Sequence, residues 1–152
     1  MTPLLQALVA LAFATPAAPP ADPITWKIDR THSELSFRIR HLVSRVQGTF
    51  REWEGSIVAD PADWNAGRTE ITIQTASIDT RNEERDTHLR SADFFDVVAH
   101  PTISFSSTSV QVAGDKVTLN GTLTIRGVSR PVTLTGEALG MTGEGPGKQR
   151  IG

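Results

Sequence analysis

The chain of 152 residues contains no cysteine and no tyrosine. Without thiols there can be no disulfide, no thiolate nucleophile and no cysteine-held metal, so stability rests on packing and either redox compartment is open. Concentrated charge is lacking too. The 15 basic and 17 acidic residues are interspersed and sum to −2, without the basic stripe that releases counterions from nucleic acid. Nucleic acid is therefore not an expected partner. Long apolar runs are also missing: the stretch from Leu4 to Phe13 falls far short of the roughly 20 residues that span a bilayer. It suits instead the apolar region of a secretory signal, with small residues and a Pro/Ala-rich leader behind it. Cleavage is expected near Ala12-Phe13-Ala14 or Thr15-Pro16-Ala17. Residues 1–22 then form a signal peptide and leader, residues 23–152 form one domain, and the destination is the periplasm or the exterior.

Beyond the leader the pattern has period two, as in a sheet with one apolar and one polar face. Leu35, Phe37 and Ile39 oppose Ser36, Arg38 and Arg40; Val117, Leu119, Leu123 and Ile125 oppose Thr118, Asn120, Thr122 and Thr124. Further strands are expected at Ile24–Asp29, Val46–Phe50, Gly55–Ala59, Thr69–Ile78, Thr102–Val112 and Val132–Leu139. The rhythm slips between Ile103 and Phe105, which are odd, and Val110 and Val112, which are even. A β-bulge near Ser107 would absorb the extra residue. Asn120-Gly121 reads as a bend within one strand, because the odd-numbered apolar face continues across it. Turns fall at Asp60–Asp63, Gly114-Asp115 and Gly127–Pro131. Only Leu42–Val46 and Asn82–Leu89 look helical. Neither can cover a sheet face, so the sheet must bury its apolar side against itself as a barrel or sandwich.

The motifs of catalysis are largely absent. There is no GxSxG, no HExxH and no phosphate loop: "GEGPGK" lacks both the strand-to-helix setting and the following Ser/Thr. His32, His41, His88 and His100 do not fall at metal-ligand spacing. Glu83, Glu84, Asp86, Asp93 and Asp96 alternate with Arg81, Arg85 and Arg90, a pattern of surface ion pairs. Large rings at Trp26, Trp53, Trp64, Phe37, Phe50, Phe94, Phe95 and Phe105 remain. An eight-stranded barrel can be filled by such rings or can hold one ligand, and pattern alone leaves both open.

The order of "WKIDRTHSELSFRIRHL", "VQGTFREWEGSI", "ASIDTRNEERDTHLRSADFFDVVAHPTISF" and "GTLTIRGVSRPVTL" resembles the YceI-like family of exported, lipocalin-like isoprenoid-binding proteins, from about Trp26 to Leu139. The resemblance implies an all-β fold, an antiparallel lipocalin-like barrel with a short helical turn. It also implies an interior that binds a polyisoprenoid, an isoprenoid quinone or a prenyl pyrophosphate, without assigned catalysis or a cofactor. Members usually continue past the position of "GKQRIG" with a closing strand, so an incomplete end with open strand edges, through which copies could associate, is expected.

On that reading Phe37, Ile39, Phe50, Ile71, Ile73, Phe105, Leu119, Leu123 and Ile125 line an elongated cavity. Leu89, Phe94 and Phe95 pack on the tail or plug the barrel end. Arg81 and Arg85 orient a polar or phosphorylated head through forked bonds, and His88 adds a pH-sensitive donor. Contact with a membrane would be transient. The competing structural account pairs Arg85 with an acid and makes both rings a cap. The alternative function is an enzyme or redox protein acting on a bound quinone-like or amide molecule through rim histidines His32, His41 and His88.

Overall fold

The computed structural model describes residues 22–41, 44–142 and 150–151; the expected signal and leader lie almost wholly outside them. In chain order the elements are β1 (Ile24–Lys27), β2 (Ser36–His41), β3 (Ser44–Phe50), β4 (Trp53–Asp60), β5 (Asp63–Gln74), a 3-10 turn at Thr75–Ser77, β6 (Ile78–Asp79), α1 (Glu83–Arg90), β7 (Thr102–Ala113), β8 (Lys116–Ile125), β9 (Val128–Glu137), β10 (Met141–Thr142) and β11 (Arg150–Ile151). An antiparallel sheet runs in the order β1-β4-β5-β7-β8-β9, a smaller one in the order β2-β3-β6, and β10 pairs with β11. Among the described residues β9 has β8 as its strand partner and a free outer edge.

Register places the apolar side chains in rows. Trp53 lies opposite Ile73, and Ile73 opposite Ile103; Ile71 lies opposite Phe105, and Phe105 opposite Leu123. Because neighbours across an antiparallel ladder share a face, all six point inward. Trp53, Ile73 and Ile103 form the buried centre, with Ile28, Leu35, Phe50, Ile71, Phe95 and Leu123 packed around it. Each such side chain contributes roughly 1.5–3 kcal/mol on full burial.

The slip in rhythm is a real irregularity: the β7–β8 register shifts between Ser107 and Ser109. Thr69 N–H donates to Ser107 Oγ across the bend at 2.8 Å. β8 runs unbroken through Asn120-Gly121, and Gly121 is required there by space. A Cβ at this position would meet the Phe105 ring at 2.6 Å. Gly121→Ala is therefore expected to displace that ring and cost about 1–3 kcal/mol, read as a lower urea midpoint at constant slope.

Several sequence expectations are corrected. Ser44–Val46 is strand, not helical turn: the alternation of Ser44, Val46 and Gly48 continues, and His41 pairs with Ser44 to close a hairpin; Leu42 and Val43 lie outside the described residues. The expected strand Thr69–Ile78 breaks at Thr75, so Ile78 pairs with Phe50 in the smaller sheet. The segment Gly127–Pro131 is not one turn. Arg126 and Gly127 alone turn the chain, at φ 49° and 72°, as a two-residue turn with both φ positive does, and β9 begins at Val128.

Candidate functional site

The stretch "RDTHLRSADFFD" folds as a helix followed by a loop that is tied down by arginines. Asn82 caps α1, its Oδ1 accepting from Arg85 N–H at 2.9 Å, the bond a short polar N-cap residue supplies. Asp86 is buried on this otherwise polar helix. Its carboxylate accepts from the Thr80 N–H at 3.0 and 3.1 Å and from the Thr80 hydroxyl at 2.6 Å. Arg90 donates to the carbonyls of Ala76 and Ile78 at 2.9 and 2.8 Å, and Arg126 reaches from the β8–β9 turn to Phe94 O and Ala92 O at 2.9 and 2.7 Å. The two phenylalanines then part. Phe95 enters the core, edge-on to Phe50 with centroids 6.1 Å apart, whereas Phe94 stays 47% exposed.

The candidate head-binding residues do not converge on one point. Arg85 donates through Nε to Thr80 Oγ1 at 2.7 Å and through Nη2 to Thr80 O at 2.9 Å, so its partner is a hydroxyl and a carbonyl rather than an acid. Arg81 is exposed, with φ 62°. His88 packs edge-on against Phe94, centroids 4.7 Å apart, with Nε2 3.6 Å from Asp93 Oδ2. His32 belongs to a different loop, bonded through Nδ1 to Asp29 at 2.9 Å; the His41 side chain lies outside the described residues. Among the described residues no three His, Asp or Glu side chains gather in metal-ligand fashion.

The apolar candidates fall into two zones. Phe50, Ile71, Ile73, Phe95 and Leu123 belong to the packed centre, and Phe105 is buried beside it. Phe37 meets Phe50 with centroids 5.5 Å apart, and Leu89 is partly buried on α1. Ile39 and Ile125 remain 49% and 38% exposed, and Leu119 is partly buried. Rings thus fill the inner face over β4, β5 and β7, and the same face stays open toward β8 and β9. Leu119 lies opposite Leu134, Gly121 opposite Val132, Leu123 opposite Arg130 and Ile125 opposite Val128. A groove of about 290 Å³ is lined there by Leu123, Ile125, Val128, Arg130 and Val132. Its β9 wall is expected from the sequence only from Val132 onward, although Val128 and Arg130 keep the same alternation as Val132 and Leu134.

A second concavity, of about 310 Å³, lies between Arg30, Glu34, Leu35, Phe50, Arg51 and Trp53. Arg51 bonds Asp79 through Nε at 2.8 Å, and the Arg81 N–H donates to Asp79 at 2.9 Å. The Arg81 backbone bond first, then the Arg51 guanidinium, holds the Asp79 carboxyl below its ordinary 3.8. The His32 ring and the Thr31 N–H act likewise on Asp29. A carboxyl whose pKa is depressed on folding stabilises fully above its unfolded value, and that contribution disappears as pH falls through the folded one. Stability is therefore expected to decline below about pH 4, and Asp79→Asn to flatten part of that decline in acid unfolding curves.

Antiparallel sheets with an apolar inner face packed on a ring cluster, and one short helix beside β6, define a lipocalin-like β protein. The family model of the YceI-like domain matches residues 26–150, and the chain belongs to that family. Protein YceI of Salmonella arizonae is 40% identical over 148 residues, covering 95% of this chain and 76% of that protein. Among solved structures, BcnA of Burkholderia cenocepacia superposes with a TM-score of 0.68 at 26% identity, covering 78% of this chain and 73% of that one. The YceI protein of Campylobacter jejuni gives 0.65 at 35% identity, covering 82% and 74%.

Proposed function

We propose that this chain is an exported binding protein that carries or stores a long isoprenoid lipid, with the tail seated along the inner face of β8 and β9 and the ring cluster as its floor. The observation that carries the reading is the apolar face left open beside a filled core, where Leu119, Ile125, Val128 and Leu134 meet solvent although their strands are in register. An open apolar strip of this kind on a well-formed sheet calls for an occupant. The family resemblance supports a polyisoprenoid, isoprenoid quinone or prenyl pyrophosphate as that occupant. The protein acts by binding rather than by catalysis.

The energetics suit carriage. Burial of hydrocarbon is worth roughly 0.8 kcal/mol per methylene, about 12 kcal/mol gross for a fifteen-carbon tail taken from water. Binding survives the losses of immobilisation, yet transfer from a bilayer, itself apolar, releases little, so loading and unloading at a membrane surface stay reversible. The apolar run at Leu4 to Phe13 supports export to the periplasm or beyond. Equilibrium titration with a fluorescent fifteen-carbon prenyl alcohol tests the reading: saturable binding displaced by unlabelled polyprenol supports it, and non-saturable partitioning contradicts it.

A further inference from the structure

Among the described residues, one charged side chain stands on the apolar face of the β7–β8–β9 ladder. Arg130 pairs across the ladder with Leu123, which packs on the core, so its side chain emerges on the inner face between Val128 and Val132. The groove lining confirms the direction: Leu123, Ile125, Val128 and Val132 surround it. Arginines on the outer faces either stay solvated, as Arg38, Arg45 and Arg68 do, or find an acid or a carbonyl. Arg51 bonds Asp79, Arg85 bonds Thr80, Arg90 bonds Ala76 and Ile78, and Arg126 bonds Ala92 and Phe94. Among the described residues Arg130 has no ion pair.

We propose that Arg130 is the charge-reading residue of the groove and selects amphiphiles with an anionic head, phosphate, pyrophosphate or carboxylate, over neutral ones with the same tail. This rests on the isoprenoid-binding reading above and narrows it. Seating a tail over Leu123 and Ile125 strips water from the guanidinium beside them, and a desolvated charge is costly unless an opposite charge meets it. A forked, charge-assisted bond to a phosphoryl or carboxylate oxygen supplies that partner. A hydroxyl or quinone carbonyl head leaves the charge uncompensated. The groove, at about 290 Å³, is of a size for the head and the first part of the tail, and Leu119 and Leu134 continue the strip beyond it.

The test is calorimetric titration of the full chain with three probes: farnesyl pyrophosphate, farnesol and inorganic pyrophosphate. Farnesyl pyrophosphate is expected to bind at least ten-fold more tightly than farnesol, with inorganic pyrophosphate too weak to register, which separates a lipid head from a free anion. Arg130→Gln is expected to bring the two farnesyl probes within two-fold of each other, and Arg130→Lys to restore part of the gap, with thermal melts confirming that both variants fold. If both farnesyl probes bind the wild type and Arg130→Gln keeps the preference, or if Arg81→Gln abolishes it instead, the assignment of Arg130 is overturned while the lipid site stands. If neither farnesyl probe binds the wild type, the isoprenoid reading falls and this inference with it.

Discussion

Replacing Asp86 by alanine is expected to destabilise the protein by about 3–5 kcal/mol. Asp86 is 3% exposed and Thr80 4%, so water cannot replace the bonds that would be lost. The Thr80 N–H and hydroxyl both donate to this carboxylate, and each buried donor left without an acceptor costs roughly 1–3 kcal/mol. The Thr80 hydroxyl in turn accepts from Arg85 Nε, so the loss spreads to the helix start. Asp86→Asn keeps one acceptor oxygen and is expected to cost about half as much. Urea unfolding at pH 7 measures both; an alanine variant within about 0.5 kcal/mol of wild type would show that the knot between β6 and α1 is dispensable. Because α1 and the following loop position Leu89 and Phe95, a loosened plug should also weaken ligand binding, but only in proportion to the population that opens.

The second large effect is expected on binding. Leu134 is 41% exposed and lies opposite Leu119 on the inner face. Aspartate at this position can keep its carboxylate solvated in the empty protein, so little stability should be lost. Seating a prenyl tail across it would force that charge out of water without a partner, and binding should fall by about a hundred-fold. The neighbouring Thr135 supplies the control. Successive strand side chains point to opposite faces, so Thr135→Asp alters charge by the same amount on the outer face and should leave binding within two-fold of wild type. Equal loss in both variants would place the binding surface elsewhere.

How far the sequence revealed the site depends on what each signal measures. Alternation reports local backbone state and the face a residue joins, so the shift at Ser107, the unbroken strand through Gly121 and the inward rows of β5, β7 and β8 were all legible. Partner choice is non-local. Nothing in Val46–Ala59 announces that β3 and β4 enter different sheets, nor that Ile78 leaves β5 to pair with Phe50. The first residues of β9 were hidden by a local ambiguity, because glycine and proline bracket Gly127–Pro131 and both favour turns. With Arg126 and Gly127 sufficient to reverse the chain, Val128 and Arg130 fall into the ladder and the charged residue arrives on the apolar face. Ring composition could not say whether Phe50, Phe94 and Phe95 fill or line the interior. Contact geometry divides them: Phe50 and Phe95 join the packing around the core, and Phe94 faces out.

In its native setting the protein is expected to hold a prenyl lipid on the open inner face beside the ring cluster. Mass spectrometry of organic extracts from the full chain, purified without detergent or denaturant, identifies that occupant without presupposing it. One prenyl lipid species at close to one per chain is expected, greatly reduced in extracts of Leu134→Asp. Extracts holding no prenyl lipid, or only phospholipids in the proportions of the bulk membrane, would contradict that expectation.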